Sequence, residues 1–164
     1  MTRHGSDIDR TAEWERMRTQ HLRPDRPAST ARGVHHLALL SSDVEQTIAF
    51  YQGLLGFPLT ELFENRDYQG STHFFFDIGN GNALAFFDFP GLDLGRYAEV
   101  LGGLHHLAIS MARPQWETAR DSLRDAGIEL HFEAETSMYF SGPDGERLEL
   151  ISDPLGEMYG ATVL

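Results

Sequence analysis

The sequence predicts an α+β fold built from two tandem βαβββ modules, and two observations carry that prediction. The segment Gly33-Val34-His35-His36-Leu37-Ala38-Leu39 returns as Gly103-Leu104-His105-His106-Leu107-Ala108-Ile109, an offset of seventy positions. Further along each copy, Gly81-Asn82-Ala83-Leu84-Ala85-Phe86-Phe87 has the same spacing as Gly145-Glu146-Arg147-Leu148-Glu149-Leu150-Ile151, at an offset of 64. Similarity that recurs at both ends of a segment marks one supersecondary unit used twice.

Each element has a local reason. In the first module, about residues 33–90, the run 34–40 reads as a strand by its apolar alternation. Ser42-Asp43-Val44-Glu45 reads as a capping box, and Val44, Ile48, Tyr51 and Leu55 keep a helical period until Gly56 stops it. Three strands are expected next, over Pro58 to Phe63, His73 to Ile78 and Ala83 to Phe89, the last entered through the turn Gly79-Asn80-Gly81-Asn82. The second module, about 103–154, repeats the order. It has a strand over 104–110, a helix from Pro114 to Ala126 with proline at its first position and Gly127 at its end, and strands over Ile128 to Phe132, Met138 to Ser141 and Arg147 to Ile151. Ahead of both, residues 1–32 form a polar extension broken by Pro24 and Pro27. One short helix over Thr11 to Gln20 sets Trp14 and Met17 on one face.

The chain of 164 residues suits a single domain over 33–164 with the extension attached. No apolar run approaches the ~20 residues of a membrane span, and Met1 to Gly5 lack the core of a leader peptide. The sequence has no cysteine, so disulfides and thiolate metal ligands are excluded and a reducing, cytoplasmic location is expected. The net charge of −12 is uneven, with seven arginines against five acids in residues 1–32 and six against twenty thereafter. So acidic a body should repel nucleic acid. The sequence also lacks lysine, which removes Schiff-base chemistry.

Side chains alternate across a strand, so His36, Ala38 and Leu40 share one face of 34–40 while His35, Leu37 and Leu39 share the other. In the repeat, His106, Ala108 and Ser110 form the matching small-residue face. Along the last strand, Leu148 and Leu150 turn towards the helix and leave Arg147, Glu149 and Ile151 on the opposite side. Glu149 can then meet His36 and His106. A carboxylate on a central strand is costly to bury unpaired, and a divalent cation removes that cost. Two imidazoles and one carboxylate hold an ion with positions left open for substrate, the pattern of non-haem Fe(II) sites. His35 and His105 read instead as strand-edge or supporting residues, His73 as core among Phe74 to Phe76, and Asn82 as a turn residue. Trp14, Trp116 and the cluster of Phe86, Phe87 and Phe89 read as core or interface, although such aromatics also suit a flat organic ligand.

These strand openings, the helix text Asp43-Val44-Glu45-Gln46-Thr47-Ile48-Ala49-Phe50-Tyr51 followed by Leu54-Leu55-Gly56-Phe57, and Pro143-Asp144-Gly145 ahead of Glu149 resemble the vicinal oxygen chelate superfamily. That superfamily embraces glyoxalases, bleomycin-resistance proteins and extradiol dioxygenases, and the resemblance covers roughly residues 33–154. It implies two modules forming a cupped, incomplete barrel around one metal, in a homodimer, acting on a small-molecule substrate. His131, Met138-Tyr139, Pro143-Asp144-Gly145 and Glu149 are similar to the C-terminal signature of the ring-cleaving members. That likeness implies Tyr139 as a hydrogen-bond donor to a metal-bound substrate oxygen and His131 as a donor behind it. Two departures matter. Ala85 stands where glyoxalase I enzymes place a fourth ligand, and Asn82 stands where ring-cleaving enzymes place an acid-base histidine. The expectation is a metal-dependent, dioxygenase-like enzyme, with Fe(II) favoured over Mn, Ni, Co or Zn. The alternatives are a glyoxalase-type lyase or isomerase, or a metal-free drug-binding protein.

Overall fold

The computed structural model of the chain describes residues 9–22 and 24–164; Met1 to Gly5, read above for a leader, lie outside them. The chain divides into one unit up to Gly33 and another from Val34 to Leu164. In the first, helix α1 (Thr11–His21) covers the expected stretch, and none of its residues is buried. Local polar contacts hold its start. Asp9 Oδ1 accepts from the Thr11 N–H at 2.9 Å, and Arg10 pairs with Glu13 at 2.7 Å.

The second unit contains the two modules. Strand β1 (His36–Leu40), helix α2 (Val44–Ile48), and strands β2 (Leu59–Glu64), β3 (Thr72–Asp77) and β4 (Ala83–Phe87) form the first. Strand β5 (Leu107–Ser110), helix α3 (Arg113–Asp125), and strands β6 (His131–Glu133), β7 (Ser137–Ser141) and β8 (Arg147–Ile151) form the second. Their sheets run β1-β4-β3-β2 and β5-β8-β7-β6, with the same connectivity. In both, the first and last strands pair in parallel and the remaining pairs are antiparallel. The duplication read from the sequence is thus a duplication of topology. Each sheet stays open, as in a cupped, incomplete barrel.

Several boundaries differ from expectation for identifiable reasons. The N-cap of α2 is Asp43, whose Oδ1 accepts from the Gln46 N–H, not Ser42. Ser42 instead donates its N–H across the modules to Asp144 Oδ2 at 2.9 Å. From Ala49 to Leu54 the helix widens to π geometry. The extra residue per turn lets the neighbours Phe50 and Tyr51 both face the core, and Gly56 then ends the helix at φ +75°. The strand expected over Ile128 to Phe132 shrinks to His131–Glu133 because the Ile128 N–H is tied to Leu123 O at the end of α3, across Gly127 at φ +76°. A small hairpin, β9 (Glu157–Met158) with β10 (Ala161–Thr162), follows the second module and was not anticipated.

One core serves both modules. Phe74, Phe76, Leu84 and Phe86 of the first sheet and Met138, Phe140, Leu148 and Leu150 of the second are buried in it, with Phe50, Tyr51, Trp116 and Leu123 from the helical segments. The Trp116 indole N–H donates to Leu150 O at 2.8 Å, which satisfies its one polar group. The Tyr51 hydroxyl donates to Glu146 Oε1 at 2.7 Å, joining one module to the other. On the face away from this core, His36, Ala38 and Leu40 are exposed along β1, as is Phe63 of β2, whereas Ser137, Glu149 and Ile151 of the second sheet are buried.

Candidate metal centre

On the outer face of the second sheet, the structure brings together two of the three expected ligands. His106 lies just ahead of β5, and Ala108 of β5 pairs in register with Glu149 of β8. His106 Nε2 stands 3.1 Å from Glu149 Oε2. Glu149 is 2% exposed, and its other oxygen accepts from the Ser137 hydroxyl at 2.5 Å. A carboxylate this deep keeps its charge only against cationic or hydrogen-bonding neighbours. With the His106 imidazole and the Ser137 and Tyr139 hydroxyls as its described partners, the donor set fits a divalent ion seated between His106 and Glu149.

The adjacent histidines orient the rings. His105 Nδ1 lies 2.7 Å from His106 Nδ1, and His35 Nδ1 lies 2.9 Å from His36 Nδ1. A metal on Nε2 requires the ligand ring to carry its proton on Nδ1 and the neighbouring ring to accept it. In both repeats the doubled histidines thus set one ring nitrogen against Nδ1 of the next, leaving Nε2 of His36 and of His106 clear of that contact. His105 is also in contact with Glu99, at 3.9 Å from Oε2.

His36 occupies the corresponding place on the first sheet, exposed, with the Phe75 ring centroid 6.4 Å away. It does not join the other two. Among the described residues of the single chain, no three His, Asp or Glu side chains converge closely enough to hold a metal. Around His36 the outer face is aromatic. His73 stacks on Phe87 at 3.7 Å and lies 4.3 Å from Phe75 and 5.3 Å from Phe63, centroid to centroid. His73 therefore faces outward from β3, while Phe74 and Phe76 point into the core as expected. Its Nε2 is buried without a hydrogen-bond partner. Burial, with the His36 charge, pushes the imidazole below its ordinary 6.5. Ala85, in register with Ala38 and Phe75, is fully buried and offers only a methyl group where a fourth ligand would stand.

Tyr139 of β7 pairs in register with Glu149, and its ring meets His106 edge-on at 5.6 Å. Its hydroxyl lies 3.4 Å from that of Tyr159, in the turn of the terminal hairpin. Burial, then the Tyr159 hydroxyl and the Glu149 carboxylate, push the phenol well above its ordinary range. His131 lies beside Tyr139 in register on the edge strand, but its side chain is 70% exposed and its nearby partner is Glu129, at 3.6 Å. Sequence reasoning missed three neighbours. Ser137 was legible, since it lies two residues before Tyr139 on the same face. Glu99 and Tyr159 come from irregular segments that carry no periodic signal.

A family description matches residues 33–150: Glyoxalase/Bleomycin resistance protein/Dioxygenase superfamily. The chain belongs to this superfamily. It is similar to MhqA of Bacillus subtilis (strain 168), provisionally named a ring-cleaving dioxygenase, at 27% identity over 80% of this chain and 43% of that protein. The chain thus spans less than half the length of that relative. It is also similar to the metallothiol transferase FosB of Lysinibacillus sphaericus (strain C3-41), at 25% identity over 73% of this chain and 82% of the relative. Among solved structures, the fold matches a mutant of the fosfomycin resistance protein FosX from Listeria monocytogenes, complexed with Mn(II) and a dihydroxypropylphosphonic acid. There the TM-score is 0.56 at 20% identity, over 77% of this chain and 96% of that one. The superfamily's relatives thus include named enzymes, and no helix among the described residues of this member is long and apolar enough to cross a membrane.

Proposed function

We propose that this superfamily member is a metal-dependent enzyme whose centre combines His106 and Glu149 of one copy with His36 of a second. The observation that carries the reading is the buried Glu149 carboxylate held 3.1 Å from His106 Nε2 on the sheet face away from the core. The partner assignment follows from the duplication. The two outer faces are related by the repeat, each carries its histidine at the same place, and the exposed His36, Leu40 and Phe63 offer a second copy an apolar face with one imidazole to cover the pair. An isologous pair of chains forms two such centres.

A divalent ion at this place polarises substrate oxygens bound to its open positions. Iron is favoured by the two-imidazole, one-carboxylate set, and the Mn(II) held by FosX makes manganese the next choice. The chain's own groups supply the rest. Tyr139 keeps its proton at neutral pH because burial and the neighbouring carboxylate disfavour the phenolate, so it donates a hydrogen bond to a substrate oxygen. Phe63, Phe75 and Phe87 form an aromatic wall suited to a flat ring. That wall, with the likeness to MhqA, favours oxidative cleavage of a ring bearing adjacent oxygens. Ala85 disfavours the glyoxalase-type reading, because a methyl group cannot supply a fourth ligand.

The test is metal content and subunit complementation. His106→Ala and Glu149→Ala should each abolish stoichiometric iron or manganese. His36→Ala and Glu149→Ala protein, each empty alone, should recover about a quarter of the wild-type metal when refolded together, because half of the pairs are mixed and each mixed pair has one intact centre. Oxygen uptake with catechols by the iron-loaded wild type would support ring cleavage. Full metal binding by Glu149→Ala would reject the centre.

A further inference from the structure

We infer that Arg147 forms an anion-binding subsite beside the proposed centre, so that the substrate carries a carboxylate or similar oxyanion as well as its metal-binding oxygens. The inference rests on the metal-centre reading for the word substrate, but the subsite itself stands on geometry. Arg147 is two residues from Glu149 on the same face of β8, opposite Ser141 in register. Its guanidinium carbon lies 5.1 Å from the centroid of the Tyr139 ring, and that ring is the one His106 meets edge-on. Tyr139 therefore lies against both His106 and Arg147. Such packing on an aromatic surface holds the guanidinium plane in one orientation.

The described contacts of the guanidinium run through one nitrogen. Nη1 lies 3.3 Å from Glu99 Oε1 and 3.4 Å from His105 Nε2. No described residue partners Nε or Nη2 in a hydrogen bond, so the side of the fork that binds an oxyanion through two parallel N–H groups is available. Arg147 and Glu99 are each about one-third exposed, 32% and 35%. A pair this accessible is held weakly, because water screens it and two long side chains must be ordered to make it. Glu99 belongs to the segment between the modules and reaches Arg147 from outside the sheet. Its carboxylate offers the same group a bound acid would offer, through a single contact. A substrate acid would take the Nε and Nη2 side of the fork, with the Glu99 carboxylate on Nη1 beside it weakening its hold. In a chain of net charge −12, an arginine beside the centre also offsets the general repulsion of anions.

The subsite predicts opposite effects for its two residues. Binding of 3,4-dihydroxybenzoate and of its uncharged amide, 3,4-dihydroxybenzamide, would be measured by calorimetry with Mn(II)-loaded and with chelator-treated protein. The wild type should prefer the acid by about tenfold, the range of a charge-assisted bidentate contact. Arg147→Gln should abolish the preference while retaining the bound manganese, and Glu99→Gln should tighten the acid alone by removing the negative charge beside the fork. A purely structural Arg147–Glu99 pair would make both variants worse or neutral together. A preference for the acid that survives in chelator-treated protein supports the subsite even where the metal reading fails. Equal affinity for acid and amide, no measurable binding of the acid, or an unchanged preference in Arg147→Gln overturns it.

Discussion

Glu146 shows how much one buried side chain can reveal. It is 6% exposed, accepts from the Tyr51 hydroxyl and accepts from the Asp144 N–H at 2.9 Å. Loss of water nevertheless outweighs these donors and raises its carboxyl above the ordinary 4.5. A carboxyl raised by folding favours the folded state while both states are protonated. Its contribution is therefore complete below about pH 4.5 and is lost as the pH rises through the folded value. Glu146→Gln should remove that slope, so urea midpoints of variant and wild type, compared from pH 4 to 8, should diverge upward for the variant with increasing pH. Parallel curves would show that Glu146 titrates as it does in the unfolded chain. At the proposed metal pair, Ser137→Ala removes a hydroxyl donor to Glu149 and should weaken metal affinity by about 10- to 100-fold, read by competition with a chelator. Strand alternation was enough to place Glu149 opposite Leu148 and Leu150 and to pair it with His106. It could not reveal that His36 lies apart from them, because alternation fixes a face within a sheet and says nothing of which sheets meet.

Among the elements, the turn between β7 and β8 is the most tightly fitted. A Cβ added at Gly142 would lie 2.0 Å from Glu146 Oε1. The glycine there makes room for the carboxylate that Tyr51 binds. Gly142→Ala should push that carboxylate off Tyr51 and destabilise the fold by about 1–3 kcal/mol. Combined with Tyr51→Phe the losses should be less than additive, since both break the same contact. Additive losses in thermal or urea unfolding would mean the turn is constrained by something else. The order of elements was legible because periodicity and glycine stops are local signals. The π-helical turn over Ala49–Leu54 was not, since the same apolar residues fit an ordinary helix until the core of Phe74, Phe86 and Phe140 demands that Phe50 and Tyr51 both turn inward.

At the scale of the molecule, the proposed centre shared between copies would couple metal binding to association. On that proposal, thermal stabilisation by Mn(II) should grow with protein concentration, because the ion would bind only the paired chains. A shift independent of concentration over about a hundredfold range would place the whole centre in one chain. The arrangement also has a consequence for the polypeptide itself. Neither sheet borrows a strand from the other: one is drawn entirely from His36 to Phe87, the other from Leu107 to Ile151. They are joined by the shared core, with the Tyr51–Glu146 and Ser42–Asp144 hydrogen bonds across it. Cutting the backbone between Gly91 and Gly102 should therefore leave two fragments, each carrying a whole sheet, that recombine by burying the same apolar faces. A domain that divides at its middle in this way would let its halves be fused to other proteins to report when those proteins meet.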